Sequence, residues 1–442
     1  MKIVLPEKVK FIIDTITEAG FEAFAVGGCI RDSILGREPN DWDITTSAKP
    51  EQVKALFRRT IDTGIAHGTV TVMLEKEGFE VTTYRIDGEY EDSRHPKEVT
   101  FTSNLVEDLK RRDFTINAFA YNDTVGLVDA FEGLKDIDNG VIRCVGKAEE
   151  RFSEDALRIL RAIRFSAQLG YEIEASTKAA ITTLAGNLRH ISAERIQVEL
   201  TKLLVSSHPD YLRIAYDTGV TSVILPEFDD CMETPQNHPH HCYNVGEHTL
   251  HSLKEVPATK ELRLAMLLHD IGKPVVMTTD EEGITHFHGH QTVGAEMAKE
   301  ILKRLRYDND TLSMVTSLVE FHDYGNGVNP NSRTVRRAVN KIGEDIIPAL
   351  FLVRRADVLA QSMYQREEKL AILEKWQALF AEIHAKKQCV SLKTLAVTGS
   401  DLIALGMKPG KEMGQVLKEL LDHVLDHPED NVKEILLARV KL

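Results

Sequence analysis

Two short stretches near the amino end combine residue types that handle phosphate and metal. Ala25-Val26-Gly27-Gly28-Cys29-Ile30-Arg31-Asp32 sets a glycine pair ahead of a cation, and Asp41-Trp42-Asp43-Ile44 follows closely. An apolar strand running into glycines and then a helix lets backbone N–H groups, Gly28 among them, approach a triphosphate, with Arg31 adding charge. Asp41 and Asp43 are one residue apart on an extended segment, so both carboxylates face the same side. Together with substrate phosphates they suit two Mg²⁺ ions clamping an in-line displacement at phosphorus, and hard oxygen donors disfavour zinc. Glu80, in Phe79-Glu80-Val81, is the expected third carboxylate, because its apolar neighbours point to the opposite face. Either motif alone reads equally well as a turn or an acidic loop; the two together assign catalysis to Asp41 and Asp43.

These side chains need a scaffold. Ala23–Val26, Thr69–Leu74 and Phe79–Thr83 have strand character and Gln52–Arg58 is helical, which predicts an α/β head over residues 1–146. Residues 147–225 read as a helical neck, in which Ala156, Leu160, Ile163 and Ala167 share one face. A Pro/His-rich stretch, Thr234–His241, reads as a linker opening a second helical block over 226–375, and a glycine-punctuated helical tail fills 376–442. The 442 residues, 43% of them hydrophobic, suffice for several packed cores, about three at ~150 residues per domain. Five scattered cysteines give neither a disulfide framework nor a zinc ribbon, and the amino end lacks a secretory signal, so a reducing cytoplasm is expected. No apolar run reaches membrane-spanning length, so no membrane partner is expected. A net charge of −14 argues against a protein that coats nucleic acid indiscriminately, and DNA is not expected as a partner. It leaves room for a local basic groove.

Arg111-Arg112-Asp113-Phe114-Thr115-Ile116-Asn117-Ala118 adds a basic pair and an Asp, a combination able to hold phosphate and ribose hydroxyls. Glu154-Asp155-Ala156-Leu157-Arg158 and Glu194-Arg195-Ile196-Gln197-Val198-Glu199 follow. In this order, the stretches from Gly27, Asp41, Arg111, Glu154 and Glu194 resemble the class II tRNA nucleotidyltransferases, the bacterial CCA-adding enzyme and poly(A) polymerase family of the polymerase-β superfamily. The resemblance implies a mixed sheet flanked by helices in the head, tRNA 3′ ends as acceptor, and CTP and ATP as substrates with Mg²⁺. On that likeness Gly28, Arg31, Arg112, Asp113, Asn117, Asp155, Arg158, Arg161 and Arg164 bind nucleotide. Asp155 and Arg158 serve as a protein template: three apart on a helix they are neighbours, and a carboxylate that only accepts beside a guanidinium that only donates matches the amino edge of cytosine and adenine. Glu154 holds the Arg158 guanidinium, and Glu194 and Arg195 brace the templating helix. Lys110, Arg111, Arg112, Arg158, Arg161, Arg164, Arg189 and Arg195 supply charge for the acceptor stem, read by shape and backbone. Thr83–Pro96 resembles the family's flexible loop, which favours an enzyme able to add A.

The later block reads His248, then Leu267-Leu268-His269-Asp270-Ile271-Gly272-Lys273, His286, His288, His290, His322-Asp323 and Asp357. A carboxylate beside imidazole at the end of an apolar helix is costly unless paired or bound to metal. The set resembles an HD-domain phosphohydrolase. That likeness makes His248, His269, Asp270 and Asp357 ligands of a transition metal such as Mn, Ni or Co, and His290 and His322 second-metal or phosphate contacts. Two rival functions therefore stand beside CCA addition. One is an A-adding enzyme or poly(A) polymerase; the other is an HD phosphohydrolase with a vestigial RNA-binding head.

Overall fold

The computed structural model describes residues 1–88 and 99–440. Contacts divide the chain into two compact units, Met1–Pro226 and Glu227–Leu442. Head and neck lie in the first, body and tail in the second.

The first unit opens with helix α1 (Glu7–Glu18), which buries Val9, Ile12, Ile13 and Ile16, the spacing of one helix face. Then come β1 (Ala23–Val26), α2 (Gly28–Ile34), β2 (Asp43–Thr46), α3 (Pro50–Leu56), β3 (Thr60–Gly64), β4 (Thr69–Leu74) and β5 (Glu77–Thr83). A small ribbon of β6 (Arg85–Asp87) and β7 (Val99–Phe101) precedes α4 (Leu105–Lys110), β8 (Phe119–Asn122), β9 (Gly126–Asp129) and α5 (Gly133–Asn139). Seven strands form one sheet in the order β3-β4-β5-β2-β1-β8-β9. The β2/β5 pair is parallel and the other pairs antiparallel, so the sheet is mixed. Register places the chemistry. Val26 faces Asp43 across β1/β2, which sets the first Asp of β2 beside the Gly27–Gly28 turn. Ile44 pairs with Val81 across β2/β5, so the preceding residues, Asp43 and Glu80, also lie side by side.

The neck comprises α6 (Ala148–Glu154), α7 (Leu157–Leu169), α8 (Ala175–Leu184) and α9 (Ala193–Leu204). Ala156, Leu160, Ile163 and Ala167 are all buried, as their spacing predicts. The expectation that Asp155 and Arg158 share a continuous helix is corrected: the backbone extends at Asp155 (φ −140°, ψ 103°), and α6 and α7 are separate. The cause is local. The Asp155 carboxylate accepts from the Leu157 N–H (3.0 Å) and its carbonyl accepts from the Arg158 N–H (3.0 Å), so this Asp caps α7 instead of continuing α6.

The second unit is helical, with long segments at Val245–Glu255, Lys260–Leu268, His290–Arg304, Asn309–Phe321, Ser332–Ile342, Ile347–Ala360 and Arg366–Ala385. The tail has its own apolar cluster, including Leu402, Leu420, Leu421, Val424 and Leu436. The Pro/His-rich stretch is not a free linker. The Asn237 N–H donates to Thr285 Oγ1 (2.9 Å), the Ser362 N–H to the His240 carbonyl (2.9 Å), and Lys273 Nζ to Gln236 Oε1 (2.8 Å). Polar bonds, which leave no apolar periodicity in the sequence, fasten it to the body. Residues Glu89–Pro96 of the expected flexible loop lie outside the described residues.

Candidate active site

In the head, three carboxylates converge from two strands and the loop before them. Burial pushes the Asp43 carboxyl up, Arg112 opposes this, and Asp41 adds to it; burial, then Asp43 and Asp41, also raise Glu80. Asp43 and Glu80 remain open to solvent, yet protein and like charge crowd them enough to disfavour ionisation. Such a cluster of hard oxygens, held together against its own repulsion, fits divalent cations.

Facing Asp41 and Asp43 across a cavity of about 440 Å³ is a wall of guanidinium groups from Arg31, Arg112, Arg161 and Arg164. Arg31 is buried, and donates to Asn117 Oδ1 (2.6 Å) and, through Nε and Nη2, to Asp32 Oδ1 (2.9 and 2.8 Å). Arg31, Arg161 and Arg164 crowd round the Phe165 ring, 4.9, 5.4 and 3.8 Å from its centroid. Arg112 reaches the glycine turn: a Cβ on Gly27 would stand 2.9 Å from its Nη1, and Gly27 has φ +88°. The close approach and the positive φ both require glycine there. Gly28, Asn40, Gln168 and Lys202 complete the wall.

Asp113 is buried, and joins head to neck. Its Oδ2 accepts from Arg161 Nε and Nη2 (2.8 and 2.6 Å) and its Oδ1 from Asn117 Nδ2 (3.0 Å). Burial works to raise this carboxyl, but Arg161 and the Asn117 amide overcome it and hold Asp113 well below the usual carboxylate range.

A second hollow of about 270 Å³ shares Arg112, Asp113 and Arg161 with the first, and adds Arg111, Asp155, Leu157, Arg158 and Arg195. Arg158 Nη1 donates to Glu154 Oε2 (2.6 Å) and the Arg151 carbonyl (3.1 Å), and Nη2 donates to the Arg111 carbonyl (2.9 Å). Asp155 accepts from Arg195 Nη1 (3.3 Å) and Nη2 (2.7 Å). The carboxylate and the guanidinium are thus oriented by different partners but line the same hollow. Glu194 is exposed in the first turn of α9, whereas Glu199, five residues on, is buried and accepts from Arg164 Nε (2.6 Å).

The body holds a separate cluster. His269, His290 and His322 each place Nδ1 against the carbonyl three residues back (Met266, Phe287 and Val319, at 2.7, 2.8 and 2.7 Å), and His248 Nδ1 lies 3.4 Å from the Ala360 carbonyl. A carbonyl only accepts, so Nδ1 carries the proton and Nε2 turns inward as a lone pair. These atoms meet in two pairs, His248/His269 and His290/His322, each 3.2 Å apart. Asp270 lies between them, with Oδ2 3.2 Å from His269 Nε2 and Oδ1 3.5 and 3.7 Å from His290 and His322. Asp357 Oδ1 is 2.9 Å from His248 Nε2. Two lone pairs at that distance repel unless a proton or cation sits between them. Burial would lower His322, but Asp270 and Asp323 raise it to about 9, so without metal a proton serves one pair. The donors fit a transition metal: His248, His269 and Asp270 form one possible ligand group and Asp270, His290 and His322 another. His286 is elsewhere, bonded to Asp280 on a hairpin (2.8 Å).

Phe165, Gln168 and Lys202, on the neck helices, line the first of these cavities, and Arg354, Gln361 and Lys369 line a further one of about 510 Å³ beside the body cluster; none of the six was expected. Helical spacing from assigned residues would have found several: Phe165 follows Arg161 by four, Arg354 precedes Asp357 by three and Gln361 follows it by four.

A family model described as the Poly A polymerase head domain matches residues 23–143. The "Probable RNA and SrmB- binding site of polymerase A" model matches 170–232, and a tRNA nucleotidyltransferase domain 2 model matches 276–440. The CCA-adding enzyme of Levilactobacillus brevis is 37% identical over 99% of this chain and 98% of its own length. That of Lactiplantibacillus plantarum is 36% identical over 93% and 90%. A crystal structure of the Bacillus stearothermophilus CCA-adding enzyme in complex with CTP superposes with a TM-score of 0.72 at 29% identity, covering 99% of this chain and 98% of that one. Among the described residues, no helix is long and apolar enough to cross a membrane.

Proposed function

We propose that this chain, which belongs to the CCA-adding enzyme family, adds C, C and A to the 3′ end of tRNA from CTP and ATP and releases pyrophosphate. The observation that carries this reading is the adjoining pair of cavities, one with carboxylates facing guanidinium groups and the other lined by Asp155 and Arg158. Mg²⁺ held by Asp41, Asp43 and Glu80 would supply a Lewis acid at the tRNA 3′-hydroxyl and the α-phosphate. Asp41 and Asp43 draw the proton from the 3′-hydroxyl as it attacks. Arg31, Arg112, Arg161 and Arg164, with Lys202, face the triphosphate and take up the charge that builds on the departing diphosphate. Asp155 accepts from the amino group of cytosine or adenine, and Arg158 donates to the adjacent ring nitrogen. Uracil and guanine put a carbonyl oxygen against the Asp155 carboxylate and are rejected.

The test supplies tRNA lacking CCA, tRNA lacking only A, and a generic RNA, and sequences the extended ends. Incorporation of C, C and A on the first supports the reading. Use of ATP alone moves the chain to the A-adding class, and extension of generic RNA moves it to the poly(A) polymerases.

A second reading concerns the body and is favoured by the two facing Nε2 pairs around Asp270. There His248, His269, Asp270 and Asp357, with His290 and His322, would hold two transition-metal ions for phosphoester hydrolysis, as an activity beside nucleotide addition. Asp41→Ala and Asp270→Ala separate the two sites. Incorporation that survives the first change refutes the head assignment, and hydrolysis that survives the second refutes that of the body.

A further inference from the structure

We propose that Asp108 is a positioning residue for base selection: its carboxylate fixes, through Arg111, the backbone carbonyl that holds the template guanidinium of Arg158. The proposal rests on the reading of Asp155 and Arg158 as the template, and deepens it.

Asp108 lies on α4 and is fully buried. A carboxylate kept from water is costly unless donors surround it. Arg111 gives Nε and Nη2 to Oδ1 (3.0 and 2.9 Å), and the Arg85 N–H reaches the same oxygen (3.2 Å). Oδ2 accepts from Thr45 Oγ1 (3.1 Å), and Arg112 Nη2 lies 4.0 Å from it. Each of these neighbours adjoins a working part of the head. Thr45 stands two residues after Asp43 on β2 and so shares its face. Arg85 opens β6. Arg112 lines both cavities, and Arg111 lines the template hollow.

Two guanidinium groups of the neck sit on the last carbonyls of α4. Arg151 Nη1 donates to the Lys110 carbonyl (3.3 Å), and Arg158 Nη2 to that of Arg111 (2.9 Å). The carbonyl end of a helix favours cations. Glu154 holds the same two groups from the other side, at 2.5 Å from Arg151 Nη2 and 2.6 Å from Arg158 Nη1. Arg111 is the residue that ends α4, so its peptide can tilt unless its side chain is anchored. The fork onto Asp108 anchors it, and the charge makes these bonds roughly twice as strong as neutral ones. With the fork in place, the Arg111 carbonyl sets the angle at which the Arg158 guanidinium meets a base. Once the fork is loosened, carbonyl and guanidinium shift together. Hydrogen bonds weaken steeply with misalignment, so the accepted bases lose more than the rejected ones.

The test measures single-turnover kcat/KM for CTP and UTP on tRNA lacking CCA. Asp108→Asn keeps the shape, leaves an oxygen for the Arg111 fork and an NH₂ facing Thr45, and removes the charge. The CTP/UTP ratio is expected to fall at least ~5-fold, the lower end of what one base contact contributes. In an Arg158→Ala background the same change is expected to leave the ratio where it stands, because Asp108 acts on base choice only through Arg158. An acid that merely supports the fold lowers both rates by one factor and leaves the ratio unmoved. An unchanged ratio in Asp108→Asn, or an equal drop in the two backgrounds, overturns the proposal. If circular dichroism shows Asp108→Asn unfolded, Arg111→Lys keeps the charge but replaces the fork by a single point, and carries the same expectation and the same refutation. Wild-type enzyme that uses UTP as readily as CTP overturns the template reading itself, a failure distinct from that of Asp108.

Discussion

Replacing Asp155 with Asn keeps the shape of the side chain and removes its charge, which isolates the part this residue plays in base choice. The carboxylate has three acceptor positions in use: Leu157 N–H at 3.0 Å and Arg195 Nη1 at 3.3 Å on Oδ1, and Arg195 Nη2 at 2.7 Å on Oδ2. A fourth is left for the amino group of the incoming base. An amide has only one oxygen. In either orientation its NH₂ meets a donor, Arg195 or the Leu157 N–H, so the residue rotates or Arg195 withdraws. The amino-accepting position is lost in both cases. A bidentate base contact is worth ~1–3 kcal/mol, which at 1.36 kcal/mol per decade corresponds to ~5- to 150-fold in selectivity. Single-turnover incorporation on tRNA lacking CCA, with each of the four nucleotides, should show kcat/KM for CTP and ATP falling within that range while UTP and GTP hold or rise. Arg195→Ala, which leaves the carboxylate intact but unaimed, should give a smaller loss of the same kind. A uniform decline across all four nucleotides would refute the template role and reduce Asp155 to a helix cap.

Three further outcomes follow from the geometry. Without divalent ions, the raised carboxyls of Asp43 and Glu80 make the first unit less stable as pH climbs past their ordinary values of 3.8 and 4.5, because the folded state holds those protons more tightly. Mg²⁺ should therefore raise Tm at pH 7 in differential scanning calorimetry, and Asp43→Asn should abolish most of that rise together with incorporation. Asp113 has the opposite sign. Its carboxyl is depressed in the fold, so its stabilisation is complete above 3.8 and fades as pH falls towards the folded value. Urea unfolding of Asp113→Asn should show a loss of ~3–5 kcal/mol at pH 7, the cost of breaking a buried pair, and a flatter acid limb. Gly27→Ala should cost stability through its positive φ, ~1–3 kcal/mol, and raise KM for CTP and ATP alike as Arg112 is pushed from the turn. Gly28→Ala, whose Cβ would meet only the Arg31 guanidinium (Nη2 at 3.6 Å and Nη1 at 4.0 Å), should cost less stability, and equal Tm losses would contradict this account.

Much of the head was legible because its signals are local. A strand, two glycines and an alternating acidic pair determine one another over about twenty residues, and the period-2 rule put Glu80 on the correct face before its neighbour strand was known. Helix periodicity likewise marked the buried face of α7. It failed one residue earlier. Glu154, Asp155 and Ala156 are acceptable in a helix, and nothing in their order says that the Asp155 side chain takes the Leu157 N–H and ends α6. Competition between side chain and backbone for one donor is decided by tertiary support, here Arg195, forty residues away. The Pro/His-rich strap failed for a related reason, since it is held by hydrogen bonds to Thr285, Lys273 and Ser362 that leave no apolar pattern.

Charged residues show where a sequence reading must stop. Arg158, Arg161, Arg164 and Arg354 are alike as letters, each on a helix among apolar neighbours. Arg161 is bound to Asp113, Arg164 to Glu199 and Arg158 to Glu154, so much of their charge is already answered within the protein. Arg354 donates to an amide oxygen, and Asp323 and Asp357 act on it only from a distance. A guanidinium answered by a direct ion pair can orient a neighbour or a base edge at little cost, while one answered only from a distance keeps more of the cost of its burial. The distinction rests on the partner, and the partner is fixed by packing between segments far apart in sequence. For that reason the motif-bearing arginines of the neck could be singled out early, whereas the place of Arg354 emerged only when its surroundings were known.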